Sequence, residues 1–214
     1  MRSLQELGVC LTERSRKFTC IKDSSFPEFL DYNENGQGHY TSFGYPPLKS
    51  LFMSQIAVYT GSFDPITLGH LNVIERSSKM FDTLVVGIGV NVEKKSLFSP
   101  EERKEFVSRV TSQWENVRVE TFDGLAVDFV HQQKSRVMVR GVRPLTDIAG
   151  EFTMLMANRQ LAPDIETVFL MADEEYAHVS STLIKQIAQF SDDEMLARFV
   201  PEQIIEDLRA KMAS

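Results

Sequence analysis

Four short strings in this sequence carry residue types that could hold phosphate groups, and each directly follows a run of β-forming residues. The first is Tyr59-Thr60-Gly61-Ser62-Phe63-Asp64-Pro65-Ile66-Thr67-Leu68-Gly69-His70. A glycine after a strand lets backbone N–H groups approach a ligand, Ser62 adds a hydroxyl donor, and Gly69-His70 opens a helix whose positive end suits anions. The same residues also describe a plain strand-to-helix turn with Asp64 and Thr67 as caps and His70 exposed. The second string, Asn91 to Phe98, carries the adjacent Lys94 and Lys95, which fit either a solvated charge run or cations facing an anion. The third, Arg140-Gly141-Val142-Arg143, can aim two guanidinium forks into one crevice; surface ion pairing is the alternative. The fourth, Tyr176-Ala177-His178-Val179-Ser180-Ser181-Thr182, is a run of hydroxyls opening a helix, a good N-cap that could serve phosphates as well. His39 and His131 read as ordinary surface residues.

These strings matter because of the elements before them. Ile56 to Tyr59, Thr83 to Val90, Val117 to Phe122, Val137 to Arg140 and Thr167 to Met171 read as strands, the second so continuously apolar that it should be buried on both faces. Helices are expected at Gly69 to Phe81, from the Ser99-Pro100-Glu101-Glu102 start to about Gln113, at Leu125 to Gln133 and at Asp147 to Leu161; Pro201 opens a last amphipathic helix through Ile204, Ile205 and Leu208. Alternating β and α predicts an α/β fold, a doubly wound parallel five-stranded sheet with a C-terminal helix. Ligands of such sheets sit beyond the carboxyl ends of the strands.

Residues 1–52 lack sustained periodicity, and Asp31 to Pro47 is crowded with turn-forming residues, so an irregular N-terminal extension (1–52) is expected ahead of the main folded domain (53–214). Met53, two residues before the first strand, reads as the natural start, with a regulatory arm as the rival reading. The net charge of -7 argues against non-specific nucleic-acid binding. No apolar run approaches a membrane span, and no signal-peptide core stands at the N-terminus; a cytoplasmic protein with no membrane partner is expected. Both cysteines, Cys10 and Cys20, lie in the extension, leaving the remainder without a disulfide or thiolate metal site.

The first string resembles the G-(S/T)-F-D-P-x-T-x-G-H signature of nucleotidyltransferases related to class I aminoacyl-tRNA synthetases. Thr67 in place of the first histidine of H-x-G-H is similar to the phosphopantetheine adenylyltransferase branch. R-G-V-R at Arg140 resembles that family's R-G-(L/V)-R, and Val179-Ser180-Ser181-Thr182 its (I/V)-S-S-(S/T), with all four motifs in family order between about Ile56 and Leu208. The resemblance implies a Rossmann-like nucleotidyltransferase fold and adenylyl transfer from ATP to 4′-phosphopantetheine, with Mg²⁺ accompanying ATP and a homohexameric assembly. It implies His70, Lys94, Ser62 and Arg140 as catalytic residues, and Ser62, Lys94, Ala126 and Arg140 as contacts of phosphopantetheine. ATP contacts are implied at Ser62, Phe63, His70, Gly141, Val142, Arg143, Glu151, Tyr176, Ala177, His178, Val179, Ser180, Ser181 and Thr182. Ala126 belongs to Asp123-Gly124-Leu125-Ala126, similar to a loop lining the pantetheine arm. Gly150 departs from the pattern, since the family usually carries an aromatic there. No carboxylate cluster has the spacing of a dedicated metal site, so no metal ligand is named. Nicotinamide-mononucleotide adenylyltransferases and glycerol-phosphate cytidylyltransferases share the first motif, but normally keep a histidine where Thr67 stands. A regulatory module that has lost catalysis is the rival from another class.

Overall fold

The computed structural model describes the segments Phe29–Tyr32 and Gly38–Thr41 and residues 55–90, 96–143 and 148–213. The chain divides into two compact units, Met1–Met53 and Ser54–Ser214. In the first, β1 (Phe29–Tyr32) and β2 (Gly38–Thr41) pair antiparallel, a regular element where the sequence led us to expect none.

The second unit is built on five parallel strands: β3 (Ile56–Gly61), β4 (Thr83–Val90), β5 (Val117–Asp123), β6 (Val137–Val142) and β7 (Glu166–Met171). Their order across the sheet is β5-β4-β3-β6-β7, so the chain winds outward from β3 in one direction and then returns to build in the other. The topological switch point therefore lies between β3 and β6.

Alternation along the strands explains why their sequences are apolar without interruption. Ala57, Tyr59, Leu84, Val86 and Val139 face one buried cluster, whereas Val58, Val85 and Met138 face the other. Helix α1 (Leu68–Met80) supplies Val73 and Ile74 to the first cluster, and α2 (Pro100–Thr111) supplies Phe106, Val107 and Val110. Helix α3 (Ala126–Gln132) covers the second face with Val127, Phe129 and Val130. Ser99 caps α2 in a capping box with Glu102, as its Ser-Pro-Glu-Glu start foretells.

Three strands run past their expected ends: β3 reaches Gly61, β5 reaches Asp123, and β6 reaches Val142 because Gly141 and Val142 pair with Leu170 and Met171 of β7. Ladder pairing here overrides the turn preference of glycine. After α4 (Ile148–Leu161) and β7 come the short helices α5 (Ser181–Ile187) and α6 (Asp193–Leu196). The expected C-terminal helix is split. The Pro201 carbonyl accepts from Ile204 N–H at 3.1 Å, closing a 3₁₀ turn over Glu202–Ile204 before α7 (Ile205–Ala213) begins.

Candidate nucleotide-binding cleft

A cleft of about 480 Å³ opens at the switch point, lined by the turn after β3, the ends of β6, Glu151, and the segment from Tyr176 to Thr182. Its floor is the turn from Gly61 to His70, and the local sequence decides its shape. Thr67 caps α1: its hydroxyl accepts from the His70 N–H at 3.3 Å, and its own N–H donates to His70 Nδ1 at 3.1 Å. An Nδ1 that accepts from a backbone N–H carries no proton, so the neutral ring holds its hydrogen on Nε2. Burial, then the nearby Arg143 and Arg140 charges, lower the His70 pKa to about 4. At neutral pH His70 is thus an uncharged Nε2–H donor in the cleft wall. Phe63 stacks edge-on against both Tyr59 and His70 and holds the ring from behind.

Asp64 is not a helix cap. It is 4% exposed, and its carboxylate accepts from the N–H groups of Leu97 and Phe98, each at 2.9 Å, and from Lys185 Nζ at 2.5 Å. A buried carboxylate is tolerated because three donors replace its water. The Ser181 hydroxyl donates to the Pro65 carbonyl at 2.8 Å. Ser181 and Lys185, one turn apart on α5, thus grip the consecutive residues Pro65 and Asp64, fixing the hydroxyl-bearing segment against the turn.

On the other side of the switch point, Arg140 Nε and Nη2 make a bidentate pair with Glu151 of α4 at 2.8 and 2.7 Å, while Nη1 donates to the Thr60 carbonyl at 2.8 Å. The fork is held from two sides with its guanidinium in the cleft. Gly141 lets the strand end approach closely: a Cβ there would lie 2.8 Å from the Tyr59 hydroxyl. Arg143 Nη1 reaches the Val179 carbonyl at 3.5 Å.

The structure therefore brings Ser62, His70, Arg140, Gly141, Val142, Arg143, Glu151, Tyr176, Val179, Ser180, Ser181 and Thr182 to one cleft. Phe63 lies fully buried beneath it, and the His178 ring packs against Phe199 outside the lining. Ala177 and Ala126 do not line it either; Ala126, at the start of α3, packs on the second buried cluster. Lys94 lies outside the described residues. Sequence reasoning missed Arg103, Lys185, Val73 and Ala172. Arg103 was discoverable as the one cation on the Phe106-Val107-Val110 stripe of α2, whereas Lys185 sits on a helix too short to show a pattern. Among the described residues, no group of three or more His, Cys, Asp or Glu could hold a metal ion.

A parallel sheet in this order, with an anion-suited turn at its switch point, defines a nucleotide-binding transferase scaffold, and the cytidylyltransferase-like family model matches residues 58–187. The solved nicotinic acid mononucleotide adenylyltransferase of Plasmodium falciparum, in complex with NaAD, shares the fold with a TM-score of 0.58 at 14% identity, covering 75% of this chain and 96% of that one. A putative nicotinate-nucleotide adenylyltransferase from Vibrio parahaemolyticus gives 0.53 at 17% identity, over 73% and 99%. Sequence relatives are nearer. The phosphopantetheine adenylyltransferase of Rhodopirellula baltica is 71% identical over 160 residues, 74% of this chain and 89% of its own length, and that of Clostridium botulinum (strain Hall) is 47% identical over 156 residues, 73% and 94%. The chain belongs to the phosphopantetheine adenylyltransferase family.

Proposed function

We infer that this chain transfers the adenylyl group of ATP to 4′-phosphopantetheine, giving dephospho-coenzyme A and pyrophosphate. The observation that carries the chemistry is the pairing of a neutral His70 Nε2–H donor with the Arg140 and Arg143 guanidinium groups in one cleft. An oxygen of the acceptor phosphate attacks the α-phosphorus of ATP in line, the bond from that phosphorus to the bridging oxygen breaks, and pyrophosphate leaves with the electron pair. A phosphate oxygen is already anionic, so no general base is required, and a neutral histidine is suited to donating rather than abstracting. The difficulty is repulsion between two anions. Arg140 and Arg143 offset it, while His70 and Ser62 donate to the oxygens that gain charge in the transition state.

Lys94 is assigned to the acceptor phosphate by its place in the motif, and Lys94→Ala should impair phosphopantetheine use. Mg²⁺ is proposed to travel with ATP on its phosphate oxygens. Among described residues Glu151 is the single carboxylate lining the cleft, and it is engaged by Arg140, which fits a nucleotide-borne ion better than a protein-held one. Bound there, the ion would supply further charge neutralisation. No helix among the described residues is long and apolar enough to cross a membrane, and we assign the enzyme to the cytoplasm.

Assembly into a homohexamer is supported by α4 and β7. Phe152, Met154, Met156 and Leu161 of α4 are exposed, as are Phe169 and Met171 of β7, the last strand in the sheet order. Exposed apolar side chains on both a helix and the edge strand call for a cover, and a second copy supplies one of matching character. A pyrophosphate-release assay with phosphopantetheine, nicotinamide mononucleotide and glycerol phosphate as acceptors tests the whole reading. Turnover with phosphopantetheine alone is expected; preference for either other acceptor overturns it.

A further inference from the structure

Beneath the cleft floor sits a cation that the reaction has not yet used. Arg103 of α2 is 2% exposed. Its Nη1 donates to the carbonyls of Ser62 at 2.7 Å and Gly89 at 3.2 Å, and its Nε reaches the Ser99 carbonyl at 3.4 Å. No described carboxylate pairs with it. Burying an unpaired charge is costly, and this position continues the apolar stripe of Phe106, Val107 and Val110, where an aliphatic residue would pack without that cost. Something other than packing accounts for a guanidinium there.

The carbonyls it holds identify that purpose. Ser62 follows the end of β3 and Gly89 lies near the end of the neighbouring β4, so one nitrogen ties together the ends of two adjacent strands at the cleft. In a trans peptide the carbonyl and the next N–H point in opposite directions. Drawing the Ser62 carbonyl toward the interior fixes the Ser62–Phe63 peptide plane, and with it the direction in which Ser62 lines the cleft. Phe63, fully buried, has φ of 46°, a left-handed conformation uncommon for a residue with a side chain, so the plane before it is one that must be held.

We propose that Arg103 is a positioning residue for adenylyl transfer: by holding the Ser62 carbonyl inward, it fixes the turn so that Ser62 faces a nucleotide phosphate. This rests on the adenylyl-transfer reading of the cleft. Arg103 touches no substrate and acts through one peptide plane. Its charge also faces the turn across a low-dielectric interior, where little water screens it.

The test uses the full chain and the variants Arg103→Lys and Arg103→Met. Loss of a preorganised donor of this kind costs about a hundredfold in kcat, expected for Arg103→Met, with Arg103→Lys intermediate and the KM for ATP changed less than kcat. A merely structural role is separated by watching the peptide itself. Labelling serine carbonyls with ¹³C and phenylalanine nitrogens with ¹⁵N selects the Ser-Phe pairs 25–26, 42–43 and 62–63, and Ser62→Thr identifies the last by removing its peak. In the wild type, ATP should displace the Phe63 resonance; in Arg103→Met it should not, although ATP still binds. Should Arg103→Met fail to fold, Arg103→Lys decides by the same two readouts. Wild-type kcat in Arg103→Lys and Arg103→Met, or a Phe63 response to ATP identical to the wild type, overturns the proposal. Absence of phosphopantetheine turnover in the wild-type enzyme would instead sink the reading on which it rests.

Discussion

The two walls of the cleft are secured in different ways. The turn after β3 is locked from within: Asp64 takes two N–H groups and a lysine, Arg103 takes three carbonyls, Thr67 and His70 satisfy one another, and Phe63 is fully buried. The wall carrying Glu151 leaves apolar side chains exposed. Helix α4 leaves Phe152 59% and Leu161 58% exposed, and it meets the cleft through the Arg140–Glu151 pair. Preorganised electrostatics need a rigid source, and the turn provides it from local sequence. The α4 wall is placed so that whatever covers its apolar side also bears on the guanidinium that Glu151 orients.

Variants aimed at one wall or the other can break this contrast. The largest effect is expected at His70: His70→Ala should lower kcat by about 10²- to 10³-fold with a much smaller change in ATP affinity, as for loss of a transition-state donor. Steady-state kinetics beside equilibrium ATP binding checks it, and an equal loss in both would assign His70 to ground-state binding. Next comes Asp64→Ala, which leaves two buried N–H groups and Lys185 without their acceptor. A loss of about 3–5 kcal/mol in denaturant unfolding is expected, typical of breaking a buried pair. On the other wall, Glu151→Gln should cost about tenfold in kcat/KM, a loss typical of one charge-assisted hydrogen bond, and lower the unfolding free energy by no more than about 1.5 kcal/mol, less than Asp64→Ala does, because an amide keeps one acceptor for Arg140. A large stability loss there would erase the difference between the walls.

Two smaller effects sharpen the comparison. Phe152→Ser combined with Met156→Ser should shift the particle toward smaller species in sedimentation while the far-ultraviolet dichroism stays the same; an unchanged sedimentation coefficient removes the apolar α4 face from the assembly. The last concerns pH. His70 has its pKa lowered from 6.5 to about 4, so between those values the unfolded chain binds a proton that the native state refuses. The stabilisation is complete above pH 6.5 and is lost as pH falls toward 4, with a slope on the order of 1 kcal/mol per pH unit. His70→Asn should flatten that slope in melts taken across the window.

Much of this was legible in the sequence because the fold is written locally. The apolar run from Thr83 to Val90 forms β4, and the Ser99-Pro100-Glu101-Glu102 start caps α2 as its residue types dictate. The strand-end positions of Ser62, His70, Arg140 and Arg143 followed from the same reading, since a parallel sheet delivers its strand ends to one edge. Long-range side-chain partnerships were not legible. Asp64 looked like a cap for its own helix, yet it accepts from Leu97, Phe98 and Lys185, up to 121 positions away. Glu151 was read as a nucleotide contact, and the same reading did not foresee its bidentate pairing with Arg140. Nothing in a linear pattern tells a carboxylate which of several distant donors it will meet. The split of the last helix at Pro201 escaped for a smaller reason, since proline at a helix start is compatible with either a 3₁₀ or an α turn.

The cap that starts α1 has an outcome beyond holding a helix end. Because the Thr67 N–H occupies one edge of the imidazole, the hydrogen available to chemistry exists in the right place only while the first turn of that helix is wound. A substitution that unwinds that turn alone should therefore silence the enzyme while the sheet stays folded, because the imidazole would be free to carry its hydrogen on the wrong nitrogen.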